Sequence, residues 1–142
     1  FRITETGVAM RDIAIDKVMT SDPATVSPQS SAAEARRLLE SNVIHHLPVV
    51  EGDRLVGIVS SSDLLKLHLL DDKMAIFTRA TVDQIMETNV TVLGKNSTLR
   101  EAVEKLSMGN FHALPVVDRK RRLLGIVTST DLLSELIVRL GD

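Results

Sequence analysis

A mixed α/β (α+β) fold built from two β-α-β-β-α repeats is what this sequence predicts. Three observations carry the expectation. The chain aligns with itself, short β-branched runs alternate with helical runs in the same order in both copies, and each copy has too few strands to cover its own apolar face. A chain that repeats a supersecondary unit stacks the copies to complete a core that neither has alone.

The first copy runs over 14–69 and the second over 81–138. Asp16 pairs with Asp83, Met19 with Met86, Glu34-Ala35 with Glu101-Ala102, and His45 with His112. Leu47-Pro48-Val49-Val50 pairs with Leu114-Pro115-Val116-Val117. After one inserted residue in the second copy, Gly57-Ile58-Val59 pairs with Gly125-Ile126-Val127, and Asp63-Leu64-Leu65 with Asp131-Leu132-Leu133. Residues 70–80, "LDDKMAIFTRA", have no counterpart and read as a linker. Residues 1–13 read as an N-terminal extension and 139–142 as a C-terminal end.

Each element follows in order. "AIDKVM" and "TVDQIM" are short helical lead-ins, and "ATV" and "VTVL" are short strands. Then comes a helix, with Ala35, Leu38, Leu39 and Asn42 in the first copy. In the second, Leu99, Ala102, Val103 and Leu106 fall at i, i+3, i+4 and i+7, one helical face. "LPVV" followed by "LVGIVS" or "LLGIVT" makes two strands joined by the polar turns Glu51-Gly52-Asp53 and Asp118–Arg122. A leucine-rich helix closes each copy through Leu64, Leu65 and Leu67, or through Leu132, Leu133, Leu136 and Ile137. These helices carry more leucine than one small sheet needs. Leu67, Leu69, Leu70, Leu136, Ile137 and Leu140 are therefore candidates for a homodimer face, with core burial as the alternative.

Composition narrows the function classes. The 142 residues suffice for a real core, and 44% hydrophobic with 25% charged residues is ordinary globular composition. A net charge of −2 gives no global basic field, and with no Trp or Tyr and three Phe the chain lacks base-stacking platforms. Nucleic-acid binding is not expected. Absence of cysteine excludes disulfides, thiol catalysis and Cys-ligated metals, and fits a cytoplasmic protein. No apolar run approaches about 18 residues, so no membrane span is expected. The chain begins with Phe1, which reads as trimmed or cut from something longer.

The most informative pair is "GIVSSSD" at Gly57–Asp63 and "GIVTSTD" at Gly125–Asp131. One reading is a helix N-cap, with Ser60 or Thr128 as cap and Asp63 or Asp131 as the capping-box acid at the third helical position, near the positive end of the helix dipole. The other is a ligand site. A strand that turns straight into a helix exposes N–H groups able to meet phosphate, and a carboxylate there can accept from vicinal sugar hydroxyls. Gly57 and Gly125 either admit a close backbone approach or mark a packing or bulge position.

Two copies of this pattern, carrying "HLPVV…GIVSSSD" and "ALPVV…GIVTSTD", resemble a pair of cystathionine β-synthase (CBS) domains, a Bateman module. The resemblance covers nearly all of residues 14–138. It implies two repeats about a pseudo-twofold axis, with adenosine-containing ligands held in clefts between them. It places adenine in an apolar slot and ribose on the hydroxyl and aspartate of G-h-x-[ST]-x-x-D. Carried over, one cleft combines Met19, Ala24, Ile44, His45 and His46 with Thr128, Thr130 and Asp131. The other combines Met86, Thr91, Phe111, His112 and Ala113 with Ser60, Ser62 and Asp63. The resemblance also implies homodimers and a basic side chain before "LPVV" that can reach phosphate. His46 suits that role, with an ordinary pKa of about 6.5, whereas the second copy has Ala113. The alternative is a partly exposed strand-end histidine.

Other chemistries fare worse. Adjacent strand residues point to opposite faces, so His45 and His46 do not share an ion, and no metal site is expected. "DRKRR" at Asp118–Arg122 reads as a solvated turn. No nucleophile–base set can be placed, so no enzyme is expected. The expected function is a regulatory module that senses an adenine nucleotide (AMP, ADP, ATP or a relative such as NAD or S-adenosylmethionine) and signals to an effector protein or domain. No cofactor is required beyond that regulatory ligand. The alternative is a ligand-free assembly module.

Overall fold

The computed structural model describes residues 12–70, 79–108 and 112–141, with side chains described except at 70 and 139–141. Most of the expected N-terminal extension and linker, the site residue Phe111, and the side chains of Leu70 and Leu140 lie outside the described residues.

The elements follow the expected order. After a 3-10 turn at Ile15–Lys17 come β1 (Thr20–Ser21), α1 (Ala32–Asn42), β2 (His46–Glu51), β3 (Arg54–Ser60) and α2 (Ser61–Leu70). The second copy supplies α3 (Val82–Ile85), β4 (Leu93–Gly94), α4 (Leu99–Ser107), β5 (Ala113–Val117), β6 (Leu123–Thr128) and α5 (Ser129–Gly141). Ser31 caps α1, its hydroxyl accepting from Glu34 N–H at 3.0 Å, and Thr98 caps α4 in the same way at 3.4 Å.

The chain folds into two compact units whose limits are not those of the repeats. Described residues up to Asp22 join those from Thr91 onward in a terminal unit, and Pro23–Val90 form a central unit. Each repeat's lead-in therefore docks on the helix of the other repeat. In the central unit Ala32 N–H donates to Ala80 O at 2.9 Å, and Val82 N–H to Ser30 O at 2.8 Å. In the terminal unit Ile15 N–H donates to Ser97 O at 2.9 Å, and Leu99 N–H to Ile13 O at 2.8 Å. Ile15 and Val82 are wholly buried in these borrowed positions.

The terminal unit has a four-stranded sheet in the order β1-β6-β5-β4. The central unit repeats that arrangement in reduced form. A β2–β3 hairpin is flanked by a parallel bridge, Val26↔Val49, and an antiparallel bridge, Ile58↔Glu87. "ATV" is thus a single bridge rather than a strand. Both hairpins carry the same bulge, between Val49 and Val50 and between Val116 and Val117.

Burial follows the expected periodicity with two corrections. Ala35, Leu39, Leu99 and Ala102 are buried, but Val103 is 47% exposed, at the edge of the α4 stripe. Leu67 is buried in the central unit's own core, which removes it from the candidate dimer face. Leu69 and Ile137 are exposed, as are Leu65, Leu133 and Val138, and Leu136 is half-buried.

Candidate functional site

Each unit builds the same constellation where a β-hairpin strand turns into its closing helix. In the central unit Ser60 N–H and Oγ–H both donate to Asp63 Oδ2, at 2.8 and 3.0 Å, and Asp63 N–H donates back to Ser60 Oγ at 3.2 Å. In the terminal unit Thr128 N–H and Oγ1–H donate to Asp131 Oδ2 at 2.9 and 3.1 Å, and Asp131 N–H returns to Thr128 Oγ1 at 3.2 Å. These are reciprocal capping boxes. They hold each carboxylate in one orientation and use one of its two oxygens, since a carboxylate has acceptor sites to spare on the other.

The helix starts are further satisfied by the residue just before the first strand of each hairpin. Ser61 N–H donates to His45 O at 2.9 Å and Ser129 N–H to His112 O at 3.3 Å. The shared role of these two histidines is thus partly a backbone one. His45 Nδ1 also lies 3.4 Å from Ser61 Oγ. Ser62 and Thr130, one residue before each aspartate, are exposed.

The two glycines answer a packing requirement. A Cβ on Gly57 would lie 2.7 Å from Met86 Sδ and 3.0 Å from Glu87 O. On Gly125 it would lie 2.7 Å from both Met19 Sδ and Thr20 O. The close approach is made by the chain's own lead-in methionine and the backbone after it.

Met19, Thr128, Thr130 and Asp131 belong to the terminal unit, and Met86, Ser60, Ser62 and Asp63 to the central unit. Thr91, His112 and Ala113 belong to the terminal unit; Ala24, Ile44, His45 and His46 belong to the central one. His46 faces Ser60 across the β2–β3 ladder, and the buried Ala113 faces Thr128 across β5–β6. Among the described residues no group of three or more His, Asp or Glu is placed to hold a metal ion, and no helix is long and apolar enough to cross a membrane.

Sequence reasoning passed over Thr20. Its hydroxyl donates to Asp131 Oδ1 at 3.3 Å across 111 residues of chain. The signal lay in the antiparallel pairing of Thr20 with Ile126, which no local pattern records.

Comparison with known proteins agrees with this geometry. The chain matches the CBS domain family over residues 11–69 and 82–138. It is 35% identical over 120 residues to a homoserine O-acetyltransferase of Methanohalobium evestigatum, covering 83% of this chain but 23% of that relative. The CBS domain pair of protein MJ0100, in complex with 5′-methylthioadenosine and S-adenosyl-L-methionine, superposes with a TM-score of 0.75 at 32% identity, covering 88% of this chain and 95% of that one. CBSX2 of Arabidopsis thaliana in complex with AMP gives a TM-score of 0.79 at 27% identity, covering 92% and 99%. The repeat that appeared first as a self-alignment is thus matched in both of its copies, and the chain belongs to the CBS domain family as a tandem CBS pair.

Proposed function

We propose that the chain is a regulatory module that binds adenosine-containing ligands and holds the ribose on Asp63 and Asp131. The observation that supports this best is the locked carboxylate. Each side chain is fixed by two cap bonds to a single carboxylate oxygen, with a third bond from the aspartate's own N–H to the cap hydroxyl, so its second oxygen is held in a set orientation; at Asp131 that oxygen also accepts from the Thr20 hydroxyl. The ligands named for the MJ0100 pair and CBSX2 share a ribose with vicinal hydroxyls, which such an oxygen is suited to accept from. In this reading 14–69 and 81–138 are the ligand-holding repeats, Met19 and Met86 help line the adenine slots, and the adenine nucleotide is a regulatory ligand rather than a cofactor. The chain spans less than a quarter of the enzyme relative it resembles, so the effector is a further domain or partner whose state the module biases.

The test is thermal unfolding with a panel of adenosine, AMP, ATP and S-adenosylmethionine. A ligand at one hundred times its Kd adds about 2.7 kcal/mol. Asp63→Ala and Asp131→Ala should each weaken binding by about 1.5–3 kcal/mol, the worth of hydrogen bonds to a charged group. Full affinity in both variants leaves the aspartates as capping acids only.

A second reading, assembly through the closing helices, is favoured by the exposed Leu65, Leu69, Leu133, Ile137 and Val138. It predicts homodimers in sedimentation at micromolar concentration, whether or not ligand is present.

A further inference from the structure

The residue after each lead-in methionine carries opposite chemistry in the two units. Thr20 follows Met19 and stands across from Ile126; Glu87 follows Met86 and stands across from Ile58, the equivalent register. From that position the Thr20 hydroxyl reaches Asp131 Oδ1. Glu87 is exposed and turns to its own backbone, Oε1 accepting from Asn89 N–H at 3.0 Å. A carboxylate accepts where a hydroxyl can donate. The terminal unit therefore surrounds its aspartate with neutral donors. The central unit puts a second acid at the place from which the other unit supplies a hydroxyl.

We infer that this position sets the charge of the ligand each aspartate takes: Asp131 accepts adenosine 5′-phosphates, whereas Asp63, whose unit carries Glu87 in the register that Thr20 holds in the other, favours adenosyl ligands whose 5′ substituent is uncharged or cationic. The inference rests on the adenosine-binding reading above. A 5′ substituent that lies within the Debye length of residue 87, about 8 Å at physiological salt, feels the added acid with only partial screening. A phosphate there meets like charge, which at partly solvated spacing costs about tenfold in affinity. A sulfonium or ammonium group meets opposite charge.

Calorimetry on the full chain tests this with adenosine and AMP as probes. Asp131→Asn, which keeps a cap acceptor, isolates the central element. In that background Glu87→Thr should raise the ratio of AMP to adenosine affinity about tenfold, and Glu87→Gln, which keeps the shape and removes the charge, should give most of the same shift. Thr20→Glu in an Asp63→Asn background should lower the ratio by a similar factor. Both shifts should shrink as salt is raised. A ratio that stays within twofold in both backgrounds overturns the inference while nucleoside binding stands. Failure of the unmodified chain to bind either probe overturns both readings.

Discussion

The hairpin turns of the two units reach one backbone conformation by different chemistry. In the central unit the turn between β2 and β3 places Gly52 at φ 64°, where a glycine has no Cβ to clash. In the terminal unit the turn between β5 and β6 places Arg121 at φ 64°. An arginine there needs help, and Asp118 supplies it. Its Oδ1 accepts from the N–H groups of Lys120 and Arg122, both at 2.9 Å, and its Oδ2 accepts from Arg122 Nε at 2.7 Å. The basic run "DRKRR" is thus the clamp of a turn. The same lesson holds at Thr20 and Glu87. The repeats agree where backbone meets backbone, at the bulges, the glycines and the capping boxes. They differ where side chains meet solvent, and that is where two similar units acquire separate chemistry.

The largest test breaks the exchange of lead-ins. A chain ending at residue 75 keeps α1, β2, β3 and α2 but loses Val82, the Ile58↔Glu87 bridge and the bonds from Ala32 to Ala80 and from Val82 to Ser30. It should show no cooperative thermal transition, or should self-associate to recover a lead-in from a second copy. A stable monomer by sedimentation and circular dichroism would mean the exchange contributes little.

Next come the glycines. Gly125→Ala drives a methyl against Thr20 O and Met19 Sδ, and Gly57→Ala against Glu87 O at a slightly longer distance. Each should cost about 1–3 kcal/mol, as overpacking does, with Gly125→Ala the worse because a backbone oxygen gives way less readily than a thioether. Urea midpoints of the two variants rank them, and equal midpoints at the wild-type value would remove the close approach as the reason for glycine.

How much of this was legible before folding depends on range. The capping boxes at Asp63 and Asp131 were legible because their bonds span three residues and S/T-x-x-D is a local pattern. The helix faces were legible from period, save Val103, which is exposed although the period places it with the buried Leu99 and Ala102. Leu67 looked surplus because leucine content does not say which side of α2 the core lies on. The exchange of lead-ins and the Thr20–Asp131 contact were not legible. Self-alignment identifies equivalent residues but not which copy a strand pairs with, and non-local pairing leaves no trace in local periodicity.

A smaller effect separates the ends of the two middle helices. α1 stops at Val43, which adopts φ 53°, ψ 50° and is 85% exposed. A β-branched residue in the left-handed region has no burial to offset its strain. Asn110 occupies the equivalent place in the second copy's sequence. Val43→Asn should therefore stabilise the chain by about 1 kcal/mol, read as a higher urea midpoint at unchanged slope. A lower midpoint would show that the valine makes a contact worth more than its strain.

The smallest expected effect belongs to the clamp. The N–H of Arg122 holds the Asp118 carboxyl below the ordinary carboxylate range; partial burial opposes this, and the Arg122 guanidinium and Lys120 N–H reinforce it. A carboxyl depressed in the folded state binds its proton more readily when unfolded. Its contribution to stability is therefore fully present above the ordinary carboxylate pKa of about 4 and is lost as pH falls through the lower folded value. Asp118→Asn should lower Tm modestly at neutral pH, and the gap to wild type should narrow once pH drops below about 4. Arg121→Gly gives the terminal turn the central unit's solution, so the cost of Asp118→Asn should fall in that background if the clamp serves to hold Arg121 at positive φ. A cost that is unchanged by Arg121→Gly would show that Asp118 acts on Arg122 and the strand ends alone, with the left-handed residue held by other contacts.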